Sequence, residues 1–276
     1  MGGLPFKTSV DPRSLSVNAP ANTQKKYIVQ LAILMDVTRS MEPARDAVLA
    51  TVASFIDKTV DTFFPKVGIE VGFVGYRDVE DGKDQFILIP FTDILEDEQK
   101  LPAFLNAVKD IKCFGGGDVP ENVLGGMDFT LKHLFNINDA ESHSSSSAST
   151  CKYIPVLLHF GDAPHHGRTF CDASIKDEFP TYEHLPRPYN EIMDDFANNK
   201  IDYYFSALRS PPGSIDGPIL TTRMAELFQQ SYNDNHRRKN PFQILDFTTL
   251  NVEDVFNGIV TGLNKSVVSY LKKADF

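Results

Sequence analysis

Cysteine is scarce in this chain. Its three thiols, Cys113, Cys151 and Cys171, are odd in number and widely spaced. No disulfide framework is implied, and the pattern points to reduced thiols in an intracellular setting. No apolar run reaches the length that crosses a membrane, and the opening stretch MGGLPFKTSVDPRSL lacks the apolar core of a secretory leader. Gly2 is not followed by the Ser or Thr that a myristoylation signal places after its spacer. Basic residues are in deficit, 27 Lys and Arg against 37 Asp and Glu, for a formal charge of −10. With no basic stripe on any expected helix, that balance argues against nucleic acid as a partner. The expectation is a cytoplasmic protein with no membrane insertion, whose acidic excess serves solubility.

What the chain has is a core. Apolar residues make up 42% of its 276 positions, and that length suffices for one large α/β domain or two small ones. Its organising stretch is IVQLAILMDVTRSM, Ile28 to Met41. Ile28 to Met35 is apolar except for Gln30 and reads as a central strand covered on both faces. A helix follows from about Glu42 to Thr59, with Pro43 in its first turn and Val48, Val52, Phe55 and Ile56 at the spacing of a buried face. KVGIEVGFVGY, Lys66 to Tyr76, alternates as a strand whose Gly68, Gly72 and Gly75 leave room for a close helix. A turn with Asp81-Gly82 at its tip then returns the chain through Gln85 to Phe91. A connection that short permits only an antiparallel pairing, and Pro90 suits an edge strand.

Further on, helices are expected at Glu98 to Asp110 and Asn122 to Phe135, and a buried strand at Tyr153 to Phe160. A helix at Tyr189 to Asn198, a strand at Ile201 to Leu208, a helix at Thr222 to Tyr232, a strand at Phe242 to Phe247 and a helix at Val252 to Lys272 complete the pattern. Residues 1–26 read as a flexible arm, 141–150 as a low-complexity surface loop, and 168–190 as irregular. Alternating strands and helices predict a doubly wound, mostly parallel, Rossmann-like α/β sheet. It has one short antiparallel edge strand and helices on both faces, within a single domain, 27–276.

Polar groups gather where that sheet would present them. Asp36, Thr38 and Ser40 leave the first strand as Asp-x-Thr-x-Ser; Gly115-Gly-Gly-Asp118-Val-Pro-Glu121 precedes a helix; Gly161-Asp162 ends another strand. Ligands of open α/β sheets bind at the carboxyl ends of strands, so these loops are expected on one edge. Carboxylates and hydroxyls form an all-oxygen donor set, which suits Mg²⁺ or Mn²⁺, with Ca²⁺ in the same hard-ion class. Zinc is disfavoured, because His165 and His166 are adjacent and no Cys lies at ligand spacing to them. Taken alone, Asp-x-Thr-x-Ser is equally an ordinary helix cap. His165 and His166 read as solvent-exposed loop residues, and Cys113 and Cys171 as buried, inert thiols. The glycine run lacks the Gly-Lys-Ser/Thr of a phosphate cradle; it is read instead as letting the backbone approach a metal.

The strand with DVTRSM, the GGGDVPEN loop and FGDAPHHG together resemble the von Willebrand factor A domain with its metal-ion-dependent adhesion site, from about Tyr27 to Leu271. VGFVGYRD, GGGDVPENVLGG and IDYYF are similar to A domains associated with alpha-type protein kinases. Asp118-Val-Pro-Glu121 resembles an element of the A-like domains in integrin β subunits. The resemblance implies Asp36, Ser40 and Glu121 as direct or water-bridged metal ligands, Thr38 in place of the usual Ser, and Asp162 acting through water. Asp118 is left as a metal ligand, a second-site ligand or a helix cap, with Glu121 favoured over it.

The implied function is a cation-dependent interaction module rather than an enzyme. Its partner would supply an Asp or Glu carboxylate to the metal, and the chain would stand alone or form part of a larger multidomain protein. The alternative is a Mg²⁺-dependent phosphotransferase of haloacid dehalogenase type, with Asp36 as nucleophile. That chemistry uses a second carboxylate at position 38 for proton transfer, where this chain has Thr38; a Thr at that position in some related transferases keeps the alternative open.

Overall fold

The computed structural model describes residues 27–63, 67–137, 152–208, 217–234 and 242–247. The expected arm, the 141–150 loop, Cys151 and the Val252–Lys272 helix lie outside the described residues. In chain order the elements are β1 (Tyr27–Asp36), α1 (Glu42–Phe63), β2 (Val67–Tyr76), β3 (Phe86–Asp93) and α2 (Lys100–Lys109). There follow α3 (Val123–Phe129), β4 (Lys152–Gly161), α4 (Tyr189–Asn198), β5 (Asp202–Leu208), α5 (Gly217–Asp234) and β6 (Gln243–Phe247). The sheet has six strands in the order β3-β2-β1-β4-β5-β6. Only β3 runs antiparallel among them, returning along β2 as the short Asp81-Gly82 connection dictates.

Side-chain alternation along β1 builds two cores at once, because successive residues of a strand face opposite ways. Val29, Leu31, Ile33 and Met35 pack under α1 and α2, meeting Val52, Phe55, Ile56, Phe104 and Val108. Ala32 and Leu34 point to the other face, against Leu124, Met127, Phe196 and Phe228 of α3, α4 and α5. That two-sided burial is why the strand carries no polar stripe. The Gly72 backbone meets Leu134 so closely that an added Cβ would lie 2.6 Å from Leu134 Cδ1. The expected helix through Phe135 departs from α geometry at this point: α3 ends at Phe129 and continues as one π turn, Thr130–Leu134.

The parallel order reverses at β1, with β2 on one side and β4 on the other. Chain connections leave in opposite directions at this switch, which opens a crevice at the strands' carboxyl ends. Asp36 is the last residue of β1 and Asp162 follows the last residue of β4. Both acids therefore enter that crevice.

Candidate functional site

Two backbone bonds fix the loop after β1. Val37 N–H donates to Tyr76 O at 2.9 Å, continuing the β1–β2 ladder, and Phe114 N–H donates to Val37 O at 3.1 Å. Asp36 is fully buried, and its Oδ1 accepts from Thr38 N–H at 2.8 Å and Thr38 Oγ1 at 2.7 Å. Thr38 Oγ1 lies 3.2 Å from Ser40 Oγ, which in turn donates to Asp162 Oδ1 at 3.1 Å. Asp36, Thr38, Ser40 and Asp162 are thus one connected polar chain. Ser40 is its exposed end, with the exposed Arg39 beside it.

Glu121 joins this group from the glycine-rich loop. Its N–H donates to Pro164 O at 2.9 Å, and it forms an isolated parallel bridge with His165. Gly116 has φ +71, and a Cβ there would lie 2.6 Å from Glu121 Oε1 and 3.4 Å from Thr38 Cβ. Only glycine suits both the positive φ and that closeness. Asp81 and Glu80 crowd Gly115 and Gly117 in the same way. The glycine run therefore lets acidic side chains close over the backbone.

The electrostatics are unfavourable as they stand. Burial, then the neighbouring Asp162, pushes the Asp36 carboxyl up to about 8. Burial, then Asp36, raises Glu121 well above the usual carboxylate range. Asp36 Oδ2 and Glu121 Oε2 are buried without a hydrogen-bond partner. Buried charges are normally paired or coordinate a metal, and an orphaned buried carboxylate oxygen is costly. Carboxylates that repel one another, with Asp36 Oδ2 and Glu121 Oε2 left without a hydrogen-bond partner, are a donor set that a hard divalent cation fits.

Asp118 is placed differently. Its Oδ2 accepts from Glu178 N–H at 2.5 Å, and its carboxylate groups with His166 and Asp177 rather than with the Asp36 chain. It is not the cap of α3: Asn122 Oδ1 accepts from Gly125 N–H at 3.1 Å and fills that role.

The histidines correct the expectation of exposed loop residues, since His165 and His166 are both completely buried. His165 Nδ1 and Nε2 lie 3.2 and 3.0 Å from Glu121 O and Tyr182 O. Burial holds its imidazole down at about 3, so it is neutral and can donate to only one of those carbonyls. His166 bridges two acids, with Nε2 at 2.7 Å from Asp78 Oδ1 and Nδ1 at 2.9 Å from Asp177 Oδ1. These carboxylates raise its pKa against the opposing effect of burial. The irregular segment 168–190 folds back to deliver Asp177, and that long return hides the histidines.

Asp78 was not legible as a site residue. It lies two positions past β2, reads as part of a turn, and is fully buried with Oδ2 unpartnered. The signal was its place after a strand's carboxyl end, shared with Asp36 and Asp162. Of the thiols, Cys171 is buried and its pKa is pushed up to about 12 by that burial. Cys113 is only half-buried, less than expected.

No protein-family model matches the chain. Among curated proteins it is similar to the alpha-protein kinase vwkA of Dictyostelium discoideum, 23% identical over 218 residues. That match covers 79% of this chain and 30% of the kinase, so the chain spans less than a third of that relative's length. Among solved structures, the pilus adhesin SpaC of Lactobacillus rhamnosus GG superposes with a TM-score of 0.55 at 12% identity, over 88% of this chain and 31% of the adhesin. The SpRpn10 VWA domain superposes with a TM-score of 0.47 at 12% identity, over 83% of this chain and 94% of that domain. With its six-stranded sheet order and its one reversed edge strand, the chain has the fold of a von Willebrand factor A domain.

Proposed function

We propose that this chain is a divalent-cation-dependent protein-interaction module that captures an Asp or Glu carboxylate of a partner. The observation that carries the reading is the pair of buried, unpartnered oxygens, Asp36 Oδ2 and Glu121 Oε2, beside the Asp36–Thr38–Ser40–Asp162 chain. Asp36, Ser40 and Glu121 would hold Mg²⁺ or Mn²⁺, with Thr38 and Asp162 contributing directly or through water. A bound cation supplies residual positive charge and a coordination position that an external carboxylate can fill.

The chain's own residues set the rest. Thr38 fixes the Asp36 carboxylate by two hydrogen bonds, so the donor is preorganised. Ser40 and Arg39 are exposed at the mouth, where Arg39 adds a positive charge for an approaching acid. Phe114 and Val119, 39% and 40% exposed on the glycine-rich loop, offer apolar contact beside it. A cytoplasmic setting, with Cys113 and Cys171 as free thiols, belongs to the same proposal. The phosphotransferase alternative has nothing in its favour: the position that would carry the proton-transfer acid holds Thr38, whose hydroxyl donates to Asp36.

The test is partner capture from the source cell in Mg²⁺ against EDTA, with Asp36→Ala as control. Both EDTA and the substitution should abolish binding; a partner that binds through both overturns the proposal.

A further inference from the structure

We propose that the chain carries a second cation site, made by Asp118, His166 and Asp177 and backed by Asp78, which takes an ion of the Zn²⁺ class. It is separate in residues and in chemistry from the all-oxygen group around Asp36, and it does not depend on the function proposed for that group.

One ligand atom from each of Asp118, His166 and Asp177 lies within 4.8 Å of the others. The loops that supply them come from distant parts of the chain: before α3, after β4, and within the 168–190 return. Backbone donors hold the two acids in place. Asp177 Oδ2 accepts from Gly167 N–H at 2.7 Å, Asp177 Oδ1 from Phe179 N–H at 3.0 Å, and Asp118 Oδ2 from Glu178 N–H at 2.5 Å. Asp118 Oδ1 is buried and has no partner.

The fully buried Asp78 supplies an independent sign. Its Oδ1 accepts from His166 Nε2 at 2.7 Å and from Val79 N–H at 2.5 Å, while Oδ2 has no partner. A histidine that ligates a metal through one ring nitrogen commonly donates the other N–H to a carboxylate, which fixes the tautomer and strengthens the ligand. Asp78 stands in that relation to His166 and leaves Nδ1 facing Asp177 and Asp118. Three carboxylates surround one imidazole, so even a protonated His166 leaves the cluster net negative. A divalent ion on Nδ1 compensates that charge and gives Asp118 Oδ1 a partner. One nitrogen and two oxygen ligands, with a position left for water, match a borderline ion such as Zn²⁺ better than Mg²⁺.

The competing arrangement is a plain ion-pair bridge, with His166 protonated between Asp78 and Asp177 and no affinity for metal. Titrating the chelator-stripped full chain with Co²⁺ in excess Mg²⁺, read by visible absorption, separates the two. One Co²⁺ should bind per chain with the bands of an N/O-ligated ion, and Zn²⁺ should displace it. Asp118→Asn, an isosteric change at a half-buried loop residue, should weaken binding at least about tenfold, and Asp78→Asn by roughly 10–100-fold. Asp36→Asn should leave Co²⁺ affinity unchanged, which keeps this result apart from the fate of the adhesion-site reading. Absence of Co²⁺ binding in excess Mg²⁺ overturns the proposal. So does Co²⁺ binding that survives Asp118→Asn and is lost in Asp36→Asn.

Discussion

The Ser40 hydroxyl donates to Asp162 Oδ1 at 3.1 Å, joining residues 122 positions apart. The bond spans β1 and β4, the neighbours between which the sheet reverses its winding. Asp36 reaches the same network through Thr38, so acids from two strand ends are held facing each other. A proton on Asp36, whose carboxyl is pushed up to about 8 by burial and then by Asp162, relieves their mutual repulsion, and a divalent cation held between the two acids would relieve it equally.

Asp36→Asn should separate stability from binding. Asn keeps an oxygen acceptor for Thr38 while removing a buried charge whose ionisation burial and Asp162 oppose. In EDTA the variant should therefore unfold at or above the wild-type temperature. In Mg²⁺ at about a hundred times its dissociation constant, the wild type should gain about 2.7 kcal/mol and the variant nothing. Thermal unfolding with and without Mg²⁺ measures both; a variant several degrees less stable in EDTA would contradict this balance.

Gly116→Ala should damage the site more than the fold. The new Cβ would sit 2.6 Å from Glu121 Oε1 on a backbone with φ +71. The loop lies outside both cores, so the expected stability loss is about 1–2 kcal/mol. Cation affinity should fall at least tenfold as Glu121 is displaced. Urea unfolding and Mn²⁺ titration of the same sample check the two parts; unchanged Mn²⁺ affinity would remove Glu121 from the ligand set.

Gly72→Ala makes the complementary case, far from the crevice. Its Cβ would meet Leu134 Cδ1 at 2.6 Å and Phe91 Cδ1 at 3.0 Å. Overpacking of this kind typically costs about 1–3 kcal/mol. Cation binding should be unchanged, and a shift in both quantities would mean that the sheet face and the site are coupled.

The acid limb of stability should carry the signature of His159. This residue is buried between the hydroxyls of Tyr76, 3.1 Å from Nε2, and Tyr203, 2.6 Å from Nδ1. Burial lowers its pKa from 6.5 to about 3. The unfolded chain therefore binds a proton that the folded chain refuses between those values. Its contribution to stability is complete above about pH 6.5 and is lost as pH falls toward 3, on the order of a few kcal/mol. His159→Gln should start less stable and show a shallower loss over that window. Parallel acid limbs in the two proteins would contradict the neutral buried histidine.

Aryl phosphate should not be turned over in either Mg²⁺ or EDTA, because Thr38 offers no carboxylate for proton transfer. A colorimetric assay settles this; Mg²⁺-dependent turnover lost in Asp36→Asn would restore the enzyme reading.

The sheet was legible because its strands speak in local terms. Ile28 to Met35 is apolar on both faces and the Asp81-Gly82 turn is too short for a crossover, which together specify a buried parallel strand and a reversed edge. Asp36, Thr38, Ser40, Glu121 and Asp162 were legible as a group because each follows or precedes an element that the pattern locates. His166 was misread, since its burial depends on Asp177 returning from an irregular segment with no period to follow. Asp78 was missed for a related reason: two residues past a strand, it looked like turn chemistry. Asp118, His166 and Asp177 come from three separate loops, so no spacing in the sequence groups them and they meet only in the fold.

The most direct measurement is the anomalous difference map of a crystal grown in Mn²⁺. A peak coordinated by the carboxylate of Asp36 and the hydroxyl of Ser40, with Glu121 and Asp162 around it, is expected, and it should be absent from Asp36→Asn crystals. An Mn²⁺-saturated crystal with no peak beside Asp36 would contradict a cation site there.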